Sequence, residues 1–216
     1  MIFGLTADVS GFFTDGGGCA FLPQIQDYVG YYRAPTGNRI RWGDSRQSGR
    51  ATHAVAASYL DDLRDDLVAK ADLDGALASA QYPDFETAPE TRKAIAESFA
   101  HATLAECLDA LEQAAATGNK PATALPDGIA TRSATSVAVT FRQIADGRAL
   151  DLDDCMRMEY RIASRMLAGH DFYEGVRAVL IDKDGAPVWK PASTDEVKPE
   201  MVNAYFANLG ERELSF

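Results

Sequence analysis

The chain has 216 residues, 46% of them hydrophobic, and its 21 Lys plus Arg face 32 Asp plus Glu for a formal net charge of -11. That apolar content is enough to build one large core or two small ones, while the acidic excess argues against a nucleic-acid footprint and against a general attraction to anionic lipid. No apolar run approaches the ~18 residues of a membrane helix. The opening MIFGLTADVS lacks a basic n-region, and the three scattered cysteines form neither a disulfide framework nor a zinc pattern. The expectation is a cytoplasmic protein with no nucleic-acid partner, no membrane partner, no bound metal and no cofactor of its own.

Residues 1–55 are glycine-rich and aromatic, with short apolar runs (MIFGL, GFF, AFL) between turn signals, which predicts short strands and tight loops. Residues 56–216 change to helical periodicity. In SYLDDLRDDLVAK, Tyr59, Leu60, Leu63 and Leu67 form one stripe, with Ser58 as the predicted N-cap. PDFETAP, residues 83–89, is the best linker candidate, though it fits an ordinary loop equally. Thr103 and Glu106 have the spacing of a capping box, and Gly118–Asn119 suits the helix end.

Two packed helices are predicted in SATSVAVTFRQIADG and DLDDCMRMEYRIASRMLAG, the second with Leu152, Cys155, Met156, Ala163, Met166 and Leu167 on one face. Asp171 and Glu174 form another cap-like pair, opening a helix whose Phe172, Val176, Val179 and Leu180 share a side. A last helix starts near Pro199 and buries Met201, Val202, Tyr205 and Phe206. The fold class is therefore α/β, with strands and turns first and a mainly helical remainder.

The run TDGGGCA, residues 14–20, has neither a Lys-Ser/Thr successor nor G-x-G-x-x-G spacing, so a phosphate loop is excluded and a structural turn competes with a site. His53, His101 and His170 share no metal-ligand spacing. His170 stands next to Asp171, where an imidazole can cap the carbonyls of the preceding helix. Arg177, Lys183 and Lys190 flank the DKDGAPVWK turn; contact with an anionic ligand and plain solvation are both open there.

The tail GHDFYEGVRAVLIDKDGAPVWKPASTDEVKPEMVNAYFANLGERELSF resembles the 3-hydroxyisobutyryl-CoA hydrolase branch of the crotonase, or enoyl-CoA hydratase/isomerase, superfamily. MRMEYRIASRML and TSVAVTFRQIADG agree with it, and GFFTDGGGCAFLP is similar to the family segment G-F-F-P-D-V-G-G-x-x-x-L-P. The resemblance implies a crotonase-like fold, residues 1–55 being the end of its core and 56–216 a helical C-terminal region. It also implies thioester hydrolysis of an acyl-CoA in valine breakdown, with coenzyme A entering as part of the substrate. Asp15 then matches the active-site Asp, Gly17 and Gly18 let the turn crowd the thioester pocket, Phe172 lines that pocket, and Lys183 lies near coenzyme A phosphate or adenine.

The match falls on the C-terminal portion of the family's usual length, so the amides of the oxyanion hole lie in the part ahead of it. Where the family carries M-P-E, this sequence has Leu5, Thr6 and Ala7, with Asp8 one place later. In an extended segment that slip turns the side chain to the other face, and Asp is a methylene shorter than Glu. Pro35 stands where a helix-compatible residue is expected, at a cost of ~3 kcal/mol unless it falls at a helix end. Three readings follow: an impaired thioesterase using Asp15 and Asp8, a hydratase or isomerase of the same superfamily, or a non-catalytic remnant. The last would associate with a second copy or with another crotonase-fold chain through exposed apolar surface.

Overall fold

The computed structural model describes residues 2–3, 10–37, 40–119, 122 and 128–216. The chain forms two compact units that interleave along the sequence, one from Met1–Phe3 and Ile40–Ala88, the other from Gly4–Arg39 and Pro89–Phe216.

In the smaller unit, strands β1 (Ile2–Phe3) and β2 (Ile40–Arg41) pair antiparallel, with Ile2 opposite Arg41. Helices α3 (Trp42–Gln47), α4 (Leu60–Lys70) and α5 (Leu73–Ala76) accompany them; α1 (Gly18–Phe21) and α2 (Val29–Thr36) belong to the larger unit. Asp44 on α3 organises the segment proposed as a linker. Its buried carboxylate accepts the amides of Glu86 and Thr87 at 2.9 Å each and the Thr87 hydroxyl at 2.6 Å, so PDFETAP is a pinned loop. Ser58 does not cap α4; Tyr59 occupies that position without a side-chain bond. The predicted stripe is shallow, because no residue of α4 is fully buried.

The larger unit is built on α8 (Ala134–Gly147), whose Val137, Val139 and Ile144 are wholly buried. Around it pack α1 (Gly18–Phe21), α2 (Val29–Thr36), α9 (Leu152–Met166) and α11 (Pro199–Phe206). Helices α6 (Pro89–Ser98) and α7 (Leu104–Ala116) lie against each other. The capping box on α7 is present in full: Thr103 accepts the Glu106 amide at 3.3 Å, and Glu106 accepts the Thr103 amide at 3.0 Å. Pro35 is the penultimate residue of α2, so the missing amide falls in the last turn, where the chain leaves the helix at Gly37. Helix α10 (Asp171–Val176) runs on into a π-helical turn over Arg177–Ile181. Among the described residues no helix is long and apolar enough to cross a membrane.

Several expectations are corrected. The N-terminal strands are absent apart from β1, β2 and one isolated bridge, Ala54 to Gln81, among the described residues. GFF and AFL are instead parts of turns and short helices, because left-handed glycines interrupt the extended runs and their apolar side chains bury against helices rather than against a sheet. On α9 the buried face is Cys155, Met158, Glu159, Ile162 and Met166; Cys155 and Met166 lie on it as expected, but Leu152, 60% exposed, and Leu167, also exposed, lie beyond its two ends. Leu180 and Met201 are exposed as well, whereas Val202, Tyr205 and Phe206 pack on the core as expected.

Gly147 ends α8 where the chain crosses α1, and a Cβ there would overlap the carbonyl of Cys19. Gly147→Ala is therefore expected to destabilise the protein by about 1–3 kcal/mol through overpacking, read from chemical denaturation. An unchanged midpoint would mean that α1 yields freely.

Candidate active site

Asp15 sits on the turn that leads into α1. Gly16 and Gly17 follow it in the left-handed region, with φ of +68° and +79°. A side chain at Gly16 would meet nothing within 4 Å, so the need for glycine there is conformational and not one of close approach. The turn is closed by the Gly18 amide, which donates to the Asp15 carbonyl at 3.2 Å.

Beneath the turn lies Glu159 of α9, 4% exposed. Its Oε2 accepts the Gly17 amide at 2.9 Å. Its Oε1 accepts the Cys19 thiol at 3.1 Å, Gln143 Nε2 at 3.1 Å and the Cys19 amide at 3.4 Å. Gln143, buried on α8, also donates Nε2 to the Thr14 carbonyl at 2.8 Å. Thr14 itself gives its hydroxyl to the Ala34 carbonyl at 3.0 Å and its amide to Thr140 Oγ1 at 3.4 Å. Burial, and then the Glu159 charge, hold the Cys19 thiol far above its ordinary range, so it serves as a neutral donor. Burial also raises Cys155, and it takes Cys107 up to about 11.

The second cluster ties the tail to the start of α8. Asp171, buried at the head of α10, accepts the Ser133 hydroxyl at 2.5 Å on Oδ2. Its Oδ1 accepts the Lys190 amide at 2.9 Å and lies 2.9 Å from His170 Nδ1. Ser133 is the N-cap of α8 and accepts the Ser136 amide at 3.2 Å. Asp171 and Glu174 thus reach across to other segments and do not close a local box, and His170 faces a carboxylate in place of helix carbonyls. Glu174 accepts Arg177 at 2.9 and 3.0 Å and the Val188 amide at 2.8 Å. Arg177 also binds Asp182 and Asp184 at 2.7 Å each, so its charge is engaged within the turn it shapes.

Of the residues singled out from the sequence, Asp15 is exposed and its carboxylate has no hydrogen-bond partner among the described residues. Among the described cavities it lines none. Phe172 packs its ring 5.2 Å from that of Phe12, three positions before Asp15. It also lines a cavity of about 40 Å³ with Gly11, Ser133, Ser136, Asp171 and Lys190. Gly17 and Gly18 are buried, and both amides are used inside the protein. Lys183 is exposed on the tail turn with φ +56° and is not gathered to Asp15. Asp8 lies outside the described residues. A larger apolar cavity of about 420 Å³ opens between α7, α8 and α11, away from this turn. Sequence reasoning missed Glu159, Gln143 and Ser133. The one available signal was a Glu four residues after Cys155 and three before Ile162, on the apolar face of α9.

The family model for enoyl-CoA hydratase/isomerase matches residues 7–206. The chain belongs to that family. Members similar to it include the mitochondrial 3-hydroxyisobutyryl-CoA hydrolases of Xenopus laevis (36% identical over 99% of this chain and 57% of the relative) and Homo sapiens (35%, over 100% and 58%). Among solved structures, a carnitinyl-CoA dehydratase from Mycobacterium thermoresistibile superimposes with a TM-score of 0.83 at 34% identity, covering 97% of this chain and 60% of that one. An enoyl-CoA hydratase from Rhodobacter sphaeroides 2.4.1 does so with 0.82 at 29%, covering 100% and 62%. The fold is crotonase-like, and the chain spans under two thirds of the length of these relatives. The cytoplasmic expectation does not stand, since these curated hydrolases are named mitochondrial and scattered cysteines do not separate one reducing compartment from another.

Hydrogen bonds from Arg177, then from the Val188 amide, hold the Glu174 carboxyl down at about 2, below its ordinary 4.5. A depressed carboxyl adds stability above its unfolded value and loses it as pH falls through the folded one. Wild type is therefore expected to lose stability relative to Glu174→Gln between about pH 4.5 and 2, with parallel profiles above about pH 5 in denaturant titrations. Identical slopes throughout would show that the tail turn does not depend on this ion pair.

Proposed function

We propose that this chain serves an acyl-CoA thioester hydrolase of the 3-hydroxyisobutyryl-CoA type, acting in valine breakdown. Water attacks the thioester carbonyl, the carbon–sulfur bond breaks, and the products are the free acid and the coenzyme A thiol. Asp15 is the carboxylate that orders or deprotonates the water, or that holds the substrate hydroxyl, and Asp8 is its candidate helper. Phe172 borders the acyl pocket and Lys183 meets the anionic end of coenzyme A, which enters only as substrate. Gly17 and Gly18 shape the turn; with their amides engaged inward, the donors for the developing oxyanion come from elsewhere. The observation that carries this reading is an exposed carboxylate without a partner among the described residues, standing on a turn fixed from beneath.

A hydratase or dehydratase reading of the same site draws on the two structural relatives, whose names describe that chemistry. Here a proton moves at carbon and no thiol is released. We also propose association with a second copy or another crotonase-fold chain, because Tyr173, Leu180, Ile181 and Val188 each expose more than half of their surface along the tail. Sedimentation should then give a mass above that of one chain.

The deciding assay is thiol release from 3-hydroxyisobutyryl-CoA. The chain alone is expected to release thiol slowly, as an impaired thioesterase, and Asp15→Asn to lower that kcat by about 10²–10⁴-fold. Addition of water across an enoyl-CoA double bond without thiol release would favour the hydratase. Absence of both reactions would leave the associating, non-catalytic role.

A further inference from the structure

We infer that Glu159 is the positioning residue of the candidate site, fixing the turn that carries Asp15 from a distance of 144 positions along the chain; this rests on the reading of Asp15 given above. Among the described residues, every group that hydrogen-bonds to Glu159 is a donor: two backbone amides, a thiol and a carboxamide nitrogen. Only a side chain with two oxygens that accept and never donate can serve all four. A glutamine of the same shape would turn an NH₂ group against at least one of them. A simple packing role asks for no such chemistry, because Cys155, Met158 and Ile162 on the same face of α9 fill space without it.

The placement of the bonds gives the second line of support. Gln143 holds the Thr14 carbonyl immediately before Asp15, Glu159 holds the Gly17 amide two residues after it, and Gln143 and Glu159 are bonded to each other. The backbone on both sides of Asp15 is thus gripped by one coupled pair of side chains from α8 and α9. Between the two grips stand Asp15 and Gly16, both exposed, and among the described residues the Asp15 carboxylate has no hydrogen-bond partner, which keeps its oxygens for solvent or a ligand. A reacting group must be held to within a fraction of an ångström to be effective. Before Asp15 the Thr14 hydroxyl adds a bond to the Ala34 carbonyl, but from Gly16 to Gly18 the turn has no side chain with which to hold itself.

The test uses the whole chain as wild type, Glu159→Gln and Glu159→Asp, with amide hydrogen exchange read residue by residue beside the thiol-release assay. In Glu159→Gln the amides of Gly17 and Cys19 are expected to exchange at least about tenfold faster, while those of Val139 and Ile162, deep in α8 and α9, change far less. Glu159→Asp keeps the charge but withdraws it by one methylene, and it should accelerate the same two amides, so a variant that fails to fold does not end the test. Where thiol release is present, kcat should fall by about 10–100-fold with KM unchanged. Uniform acceleration across α8 and α9, or none at Gly17 and Cys19 in either variant, overturns the inference. A wild-type chain that releases no thiol overturns the hydrolase reading alone, because the exchange pattern still decides whether Glu159 holds the turn.

Discussion

A carboxylate buried without a cation must be compensated by hydrogen bonds, and the larger unit is arranged around one such group. Glu159 meets four donors, three of them from Gly17 and Cys19 on the glycine-rich segment. Removing it would leave donors unsatisfied in the interior, which for buried groups costs about 1–3 kcal/mol each. The same group ties α9 to α8 through Gln143, so the framework helices and the exposed turn share one polar joint set within the core. Such a joint specifies a single arrangement, because its donors have no second place to go.

Asp171 repeats the device at the other end of α8. It joins the Ser133 cap to the tail through the Lys190 amide, and the Phe172 ring beside it reaches Phe12. The candidate site is therefore bounded by two segments far apart in sequence, each fastened to α8 by a buried acid. In a chain of net charge -11 these two acids, like Asp44 in the smaller unit, are set apart by what they face: backbone and side-chain donors in place of water.

Local signals were legible where the chemistry was local. The capping box at Thr103, the start of the last helix at Pro199 and the helix over SATSVAVTFRQIADG all lie where the pattern puts them. Ser58 failed as a cap because it lies inside a 3-10 turn, Ala57–Tyr59, that runs directly into α4. The strands expected before residue 55 failed for a wider reason: short apolar runs among glycines fit strands and helical turns equally, and the choice was made by α8 and α9, more than a hundred residues downstream. Asp15 was legible only through family resemblance, and Glu159 only through its register with Cys155 and Ile162 on the apolar face of α9, a faint signal because an acid in a helix is ordinarily a solvated one.

The interleaving of the two units carries a consequence for how the chain reaches this state. Residues 4–39 belong with residues 89–216, so a nascent polypeptide emerges with its glycine-rich segment bereft of the scaffold that orders it. The Gly17–Glu159 bond closes a loop of 142 residues, and contacts of such long sequence separation form late and slowly. During synthesis the smaller unit is completed first, whereas Phe13 and Leu22 wait for the helices of the larger unit, and the Phe12 ring meets Phe172 only once α10 has left the ribosome. For that interval they are a target for chaperones that recognise exposed aromatic sequence.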